Sequence, residues 1–174
     1  RHATMRWQEG DAVSLIGGQC PTIGGSEYLF CRYGLTAGRP PDLDLDHERR
    51  VQAFVRTLVA GGLVRTAHDC SEGGLAVALA EMAIVSGVGV SVTSVPAGAD
   101  GRTDAAWFGE APSRIVIACE TAALPEIERR AGEFGLPLRH LGRAGSEEIE
   151  LGDAAALPLA VARSRYESAL LDLS

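Results

Sequence analysis

The sequence predicts a domain of the α/β (α+β) class, in which helices pack on a mixed β-sheet. Short strand-like apolar runs alternate along the chain with segments whose apolar residues recur at helical spacing. Near the C-terminus, two strand-like runs follow each other across a tight turn, which predicts a hairpin and therefore a sheet that is not purely parallel. The 174 residues, 46% hydrophobic and 22% charged, suit one globular domain.

The first elements are defined by an apolar run between glycines and by a proline-rich connector. A turn, a short strand and a glycine break are predicted in 10–18, and a glycine-rich loop followed by a short helix in 19–30. The segment 37–46 is rich in proline and aspartate, so we expect a connector there, with Asp44 or Asp46 as the N-cap of the next helix.

An amphipathic helix follows the connector, and an apolar helix follows the next strand. The amphipathic helix has apolar residues at i, i+3, i+4, i+7 and i+8, and two glycines stop it: Val51, Phe54, Val55, Leu58 and Val59, then Gly61 and Gly62. A short strand is predicted in 63–68. The helix that starts near 71–74 is apolar around most of its circumference, so we expect it to be buried.

The second half of the chain predicts two more strands and a helix before the hairpin. β-Branched residues indicate a strand in 88–95, a loop is expected in 96–104, and an apolar strand is predicted in 113–120. A helix is predicted in 121–135, with Pro125 in its first turn, where proline is tolerated.

The C-terminal hairpin and a last helix complete the predicted elements. The hairpin consists of strands in 136–144 and 147–153, joined by a tight turn at Gly145 and Ser146. The helix that follows has one apolar stripe, made of Ala162, Tyr166, Ala169, Leu170 and Leu173.

Charge and composition exclude several classes of function. The net charge of -7 argues against binding to nucleic acid or to an anionic membrane. All 16 cationic residues are arginines, so this chain supplies neither a Schiff-base lysine nor a P-loop lysine. No apolar run approaches the length of a membrane span. None of the four cysteines forms a CxxC pair, so we expect reduced thiols in a cytoplasmic protein rather than a zinc site.

The stretch 68–74 is the first candidate binding site. It places a histidine, an aspartate, a cysteine, a serine, a glutamate and two glycines where a short strand meets a helix. The first amides of a helix are unpaired and lie at the positive end of its dipole. Gly73 and Gly74 would therefore let an oxyanion approach these amides closely, and we expect them to form the first turn and to face an open cleft.

The side chains of this stretch leave two interpretations open. Ser71 can cap the helix or donate to a phosphate, and His68 can pair with a phosphate or a carboxylate. Asp69 and Glu72 would repel a phosphate unless a metal bridges them, so they belong either to a nucleotide–magnesium site or to the helix cap. No general base is identifiable beside Cys70, which argues against a cysteine nucleophile.

A second candidate anion site lies in the glycine-rich stretch 17–28. Gly24, Gly25 and Ser26 can form a backbone cradle for a phosphate, although the stretch lacks the lysine of a P-loop and the GxGxxG pattern. The alternative is a surface loop without a ligand. Further along the chain, Glu110 and Arg114 can bond each other or a ligand, with a surface ion pair as the alternative.

Three segments together resemble one enzyme family. They are GDAVSLIGG followed by GGSEYL, then GLVRTAHDCSEGGLAVALAEMA, and then WFGEAPSRIVI. Their order and spacing match, as do PPDLDLDHE and the closing LGRA. Over nearly its whole length the chain resembles the last, C-terminal domain of phosphoribosylformylglycinamidine synthase (formylglycinamide ribonucleotide amidotransferase), subunit II type. That family lies in the aminoimidazole ribonucleotide synthetase-like superfamily.

The resemblance implies a domain organisation and a reaction. Residues 1–174 would be a single C-terminal α/β domain, part of a longer chain whose ATP-binding domains lie upstream. The family makes an amidine from formylglycinamide ribonucleotide, using ATP, Mg²⁺ and ammonia from glutamine. The nucleotide motif and the catalytic histidine of the family lie in the missing domains, so the resemblance gives this chain no catalytic residue and no metal ligand.

The resemblance also implies partners and leaves alternatives. A separate glutaminase subunit and a small accessory subunit are the expected partners, besides the upstream domains of the same chain. The phosphate- or nucleotide-binding residues we expect are Gly24, Gly25, Ser26, His68, Asp69, Ser71, Glu72, Gly73 and Gly74. The alternatives are a non-catalytic packing module of the same enzyme, the corresponding domain of another superfamily member, or a freestanding enzyme with Cys70 or His68 as the nucleophile.

Overall fold

The computed structural model describes residues 1–18, 21–95, 97–98 and 101–169. Within these ranges the strands are β1 (Ala12–Ile16), β2 (Thr66–Asp69), β3 (Val90–Val92), β4 (Ile115–Cys119), β5 (Leu138–Ala144), β6 (Glu148–Leu151) and β7 (Ala155–Pro158). The helices are α1 (Glu27–Tyr33), α2 (Leu45–Gly61), α3 (Gly74–Ser86), α4 (Thr103–Phe108), α5 (Leu124–Glu133) and α6 (Leu159–Ser168), with a 3₁₀ turn at Thr121–Ala123.

The described strands form one mixed sheet with helices on both faces, which confirms the predicted fold class. The strand order is β2-β4-β1-β5-β3-β6-β7. The β3–β6 pair is parallel, and the other neighbouring pairs are antiparallel. Residues of α3, α4 and α6 form the core on one face, and residues of α2 and α5 form the core on the other. The interior strand β1 is accordingly buried along its whole length.

Several local predictions are confirmed, among them the caps of α2. The Asp44 carboxylate accepts hydrogen bonds from the amides of Asp46 and His47, both at 3.0 Å, so Asp44 and not Asp46 is the N-cap. Gly62 ends α2 in the left-handed conformation. Pro125 lies in the first turn of α5, as expected.

The predicted C-terminal hairpin of β5 and β6 is wrong, because β3 lies between these two strands. Val90 of β3 is opposite Ala144 on its antiparallel side and Ile149 on its parallel side. The turn after β5 bonds to the residue that precedes β3: the amide of Gly89 donates to Ser146 at 2.7 Å, and the amide of Gly145 donates to Gly89 at 3.1 Å. The turn thus encloses the end of β3 instead of closing a hairpin.

Two elements were not predicted. Strand β7 pairs antiparallel with β6, but its four residues are exposed, alanine-rich and end in proline, so it lacks the pattern of a buried strand. Helix α4 begins at Thr103, inside the predicted loop 96–104, and is too short to show periodicity. Residues 96, 99 and 100 of that loop lie outside the described residues.

The predicted apolar stripe of the last helix is only partly buried. Ala162 packs in the core together with Leu159, whereas Tyr166 is exposed. Leu170 and Leu173 lie outside the described residues. Among the residues that are described, no helix has both the length and the apolar character needed to cross a membrane.

Candidate functional site

The two glycine-containing candidate sites meet at one carboxylate, which belongs to Glu110. Its Oε1 accepts a hydrogen bond from the amide of Gly73 at 3.0 Å and another from the amide of Glu27 at 2.9 Å. We predicted the stretches 17–28 and 68–74 as separate sites. In the structure they lie side by side. Glu110 lies between α4 and β4, so a third segment of the chain joins the first two.

The first loop uses its polar groups within the chain. Ser26 is buried and caps α1: its hydroxyl accepts from the amide of Leu29 at 3.3 Å and donates to the carbonyl of Ile23 at 2.6 Å. The amide of Gly25 donates to the carbonyl of Ala37 at 2.8 Å. Gly24 lies against the connector, where an added Cβ would be 2.6 Å from the carbonyl oxygen of Arg39. Gln19 and Cys20 of this stretch lie outside the described residues.

The start of α3 differs from the predicted capping arrangement. Gly73 occupies the N-cap position with φ of +75°, and no side chain caps the helix there. The predicted cap by Asp69 or Ser71 is therefore wrong, and the hydroxyl of Ser71 donates to the carboxylate of Asp69 instead. The amide of Gly74 donates to the carbonyl of Ser71 at 3.0 Å. The left-handed turn at Gly73 places that residue's amide against Glu110, so these amides do not face an open cleft.

His68 lies between two carboxylates. Its Nε2 is 2.8 Å from Oε2 of Glu81, and its Nδ1 is 3.5 Å from Oδ1 of Asp69. Beside it is a cleft of about 150 Å³, lined by His68, Asp69, Ser71, Glu72, Ala78 and Glu81. The lining is rich in carboxylates, so in this conformation the cleft favours groups that donate hydrogen bonds over a phosphate.

Electrostatics distinguish Asp69 from its neighbour Cys70. The hydrogen bond from Ser71 holds the pKa of Asp69 below its usual value, despite an opposing effect of partial burial. Burial raises the pKa of the Cys70 thiol to about 11, although the guanidinium of Arg114 lowers it in part. Because a thiolate is the reactive form, Cys70 is a core residue rather than a nucleophile.

A second cleft, of about 360 Å³, is also lined by Asp69, Cys70 and Ser71. Its wall includes Ser113, which has φ of +60° and donates its hydroxyl hydrogen to Glu48. It also includes Arg114, which is 2% exposed and donates from Nη1 to the carbonyl of Gly109 at 3.1 Å. The burial of Arg114 makes the alternative of a surface ion pair with Glu110 wrong.

The glycine amides, as placed, do not fit a phosphate group. The amides of Gly25, Gly73 and Gly74 already have acceptors in the chain, and a phosphate could reach the Gly73 amide only by displacing Glu110. In the part of the chain that the structure describes, no three His, Cys, Asp or Glu residues are grouped so that they could hold a metal ion.

The order of strands and the helix-flanked mixed sheet define the class of this domain. Residues 8–153 match the family described as AIR synthase related protein, C-terminal domain. The match covers most of the chain, and the chain belongs to this family.

Curated relatives carry a more specific name. The chain is 45% identical over 148 residues to phosphoribosylformylglycinamidine synthase subunit PurL of Thermomicrobium roseum, a match that covers 84% of this chain and 20% of that protein. It is 46% identical over 142 residues to the same subunit of Moorella thermoacetica, covering 82% of this chain and 19% of that protein. The chain thus spans about a fifth of the length of these relatives.

Solved structures show the same fold. T. maritima PurL complexed with FGAR has a TM-score of 0.77 and 18% identity, and the match covers 93% of this chain and 29% of that one. A thiamine-monophosphate kinase of Stenotrophomonas maltophilia has a TM-score of 0.59 and 22% identity, covering 86% of this chain and 52% of that one. At these identities, the likeness concerns the fold alone.

Proposed function

We propose that this chain is the C-terminal domain of a subunit II type phosphoribosylformylglycinamidine synthase, the ATP-dependent ligase of purine biosynthesis. The observation that carries the proposal is the 45% identity with a PurL subunit over 148 residues. The whole enzyme would convert formylglycinamide ribonucleotide, ATP and ammonia into formylglycinamidine ribonucleotide, ADP and phosphate, in the cytoplasm.

In this proposal the chain contributes walls and loops to the substrate cleft, while ATP and Mg²⁺ are held mainly by other domains. Complexes of T. maritima PurL with ADP, ATP and AMPPCP support a nucleotide as the cofactor. Within the chain, Ser71 and His68 are among the residues that line the small cleft. The glycines at 24, 25, 73 and 74 allow the loops to turn. A phosphate could contact these glycines only if the hydrogen bonds that now hold the loops were changed.

The second candidate is a domain that only packs against the rest of the enzyme. The glycine amides donate hydrogen bonds to acceptors within the chain, which favours this second candidate. Replacing Ser71 with alanine in the whole enzyme separates the two roles, because the Ser71 hydroxyl lines the cleft but caps no helix. An altered affinity for nucleotide or ribonucleotide, measured by isothermal titration, supports the role in the substrate cleft. An unchanged affinity supports a domain that only packs against the rest of the enzyme.

The first prediction is that the 174-residue chain alone has no synthase activity. The groups that activate the amide would lie in other domains, and we expect no phosphate release from formylglycinamide ribonucleotide, ATP and ammonia above a heat-treated control. The whole protein that carries this domain is expected to catalyse the reaction under the same conditions. Turnover by the chain alone, or none by the whole protein, would contradict the proposal.

The expected partners include the domains upstream in the same chain. Helix α1 has no buried residue. Large apolar side chains are exposed along this helix, the connector to α2 and the first residue of α2: Phe30, Tyr33, Leu35, Leu43 and Leu45, each more than half exposed. Several large apolar side chains exposed along one segment are typical of a surface that another domain covers. A glutaminase subunit and a small accessory subunit are also proposed, in line with the solved structure of PurLQS from T. maritima.

The second prediction concerns this apolar segment. Replacing Leu43 and Leu45 together with glutamate should lower the melting temperature of the whole protein by about 4 °C or more, because two charges would be buried at a domain interface. The control is Val161→Glu, which changes a partly exposed valine on α6. Equal melting temperatures for the double variant and the unmodified protein would mean that the segment stays in contact with solvent.

A further inference from the structure

Glu110 links the two loops through both its side chain and its main chain. Its carboxylate oxygen Oε1 is 3.0 Å from the amide nitrogen of Gly73 and 2.9 Å from that of Glu27. Its own amide donates to the carbonyl of Thr22 at 3.1 Å, within an isolated antiparallel bridge. The same residue therefore holds the first loop at two points and the second loop at one.

Helix α1 is attached mainly at its N-terminal end, where Glu110 binds. No residue of the helix is buried, while Ser26, just before it, is 3% exposed. The ring of Tyr28 stacks on Phe108 with 4.8 Å between the centroids. Because the rest of α1 is held by few packing contacts, the bond from Glu27 to Glu110 has a large share in fixing where the first loop lies.

A glutamate has both the charge and the length that this link needs. Its carboxylate lies at the N-terminal ends of α1 and α3, where helix dipoles favour negative charge. Both bonds are charge-assisted, which makes them stronger than bonds between neutral groups. An aspartate at position 110 is one methylene shorter, whereas a glutamine keeps the acceptor oxygen and the length but loses the charge.

We propose that Glu110 is a positioning residue, which fixes the loop 24–27 against the loop 69–74 and so sets the place of Ser71 in the substrate cleft. The inference rests on the function proposed above, in which residues of the loop 69–74 line that cleft. Glu110 acts through the two main-chain amides and has no contact with the reacting atoms.

The kinetic test compares three variants of the whole synthase. In Glu110→Ala, the KM for formylglycinamide ribonucleotide should rise about tenfold, as expected for the loss of one well-placed polar interaction, while kcat changes little. Glu110→Gln should restore most of the affinity, because its amide oxygen can still accept from Gly73 and Glu27. The control Ile127→Val weakens the core formed by α2 and α5, which contains no residue of either loop, and should leave the KM unchanged.

A second measurement tests the link without relying on turnover. Hydrogen exchange of the same proteins, followed by mass spectrometry, should show faster exchange in peptides that cover 21–34 and 69–80 for Glu110→Ala. Glu110→Gln should be intermediate, and Ile127→Val should resemble the unmodified protein in these peptides. If the unmodified synthase proves inactive, the proposed function fails, and the exchange data still decide whether Glu110 holds the loops.

Four results would overturn the inference. Unchanged exchange in Glu110→Ala would mean that Glu110 does not hold the loops, and an unchanged KM with faster exchange would mean that the loops do not set the substrate site. A loss of kcat that glutamine fails to restore would indicate a direct role in chemistry. A lower KM would show that Glu110 competes with the substrate for the Gly73 amide.

Discussion

Gly17→Ala is expected to lower the free energy of unfolding by about 3–4 kcal/mol. Gly17 directly follows β1 with φ of +97°, a conformation that L side chains rarely adopt. A Cβ there would overlap the carbonyl oxygen of Ser113 and lie 2.9 Å from its carbonyl carbon. Both atoms belong to the main chain, so no change of rotamer can relieve the contact. Because Ser113 lines the cleft of about 360 Å³, the substitution should also disturb that wall.

Gly10→Ala is the matched control for this effect. Gly10 has a similar φ of +90°, but an added Cβ would have no heavy atom within 4 Å. Its substitution should therefore cost only the conformational strain, about 1–2 kcal/mol. Urea denaturation of both variants gives the comparison, since the difference between them measures the steric overlap alone. Equal losses would mean that β1 and Ser113 are not as closely packed as the structure places them.

Gly74→Ala should also destabilise the domain strongly, by about 3 kcal/mol. Gly74 has φ of +67°. An added Cβ would lie 2.6 Å from the carbonyl oxygen of Gly109 and 3.0 Å from that of Trp107. The start of α3 packs directly on the main chain just before Glu110, and the substitution would force these segments apart. Urea denaturation measures the loss, and hydrogen exchange shows whether the 69–80 segment opens first.

The control for Gly74 lies at the other end of the same helix. Gly87 ends α3 with φ of +74°, and the nearest atom to an added Cβ is Nη2 of Arg163, at 3.4 Å. Because that atom ends a flexible side chain, Gly87→Ala should cost about 1–2 kcal/mol, mostly from strain. A loss at Gly74 no larger than the loss at Gly87 would contradict the close contact between α3 and Gly109.

Elements that pack along one periodic face could be predicted from sequence. In α2, the positions at helical spacing supply fully buried residues, among them Val51, Phe54 and Leu58. The short-range cap at Asp44 was also predictable, because the residues that it bonds are two and three positions away. These features depend on interactions within one or two turns of the chain, which the local pattern records directly.

Elements that depend on distant partners could not be predicted in this way. The runs that form β5 and β6 have the pattern of a hairpin, but each pairs with β3, which lies far earlier in the chain. Strand β7 pairs with the edge of the sheet formed by β6. The alanines of β7 are exposed, so their sequence has no pattern that predicts a strand. Local hydrophobicity indicates that a segment forms a strand, but it does not specify the neighbour of that strand.

The residues alone indicated the class of fold, the family resemblance and two stretches with special chemistry, 24–26 and 68–74. They did not indicate that Glu110 accepts hydrogen bonds from Gly73 in the second stretch and from Glu27, directly after the first, which lie 37 and 83 positions away. The tertiary structure decided that a carboxylate of the chain accepts from the Gly73 amide, which we had predicted to be open to a phosphate. The physical reason is that a helix N-terminus attracts any nearby anion, and only the folded chain determines which anion is within reach.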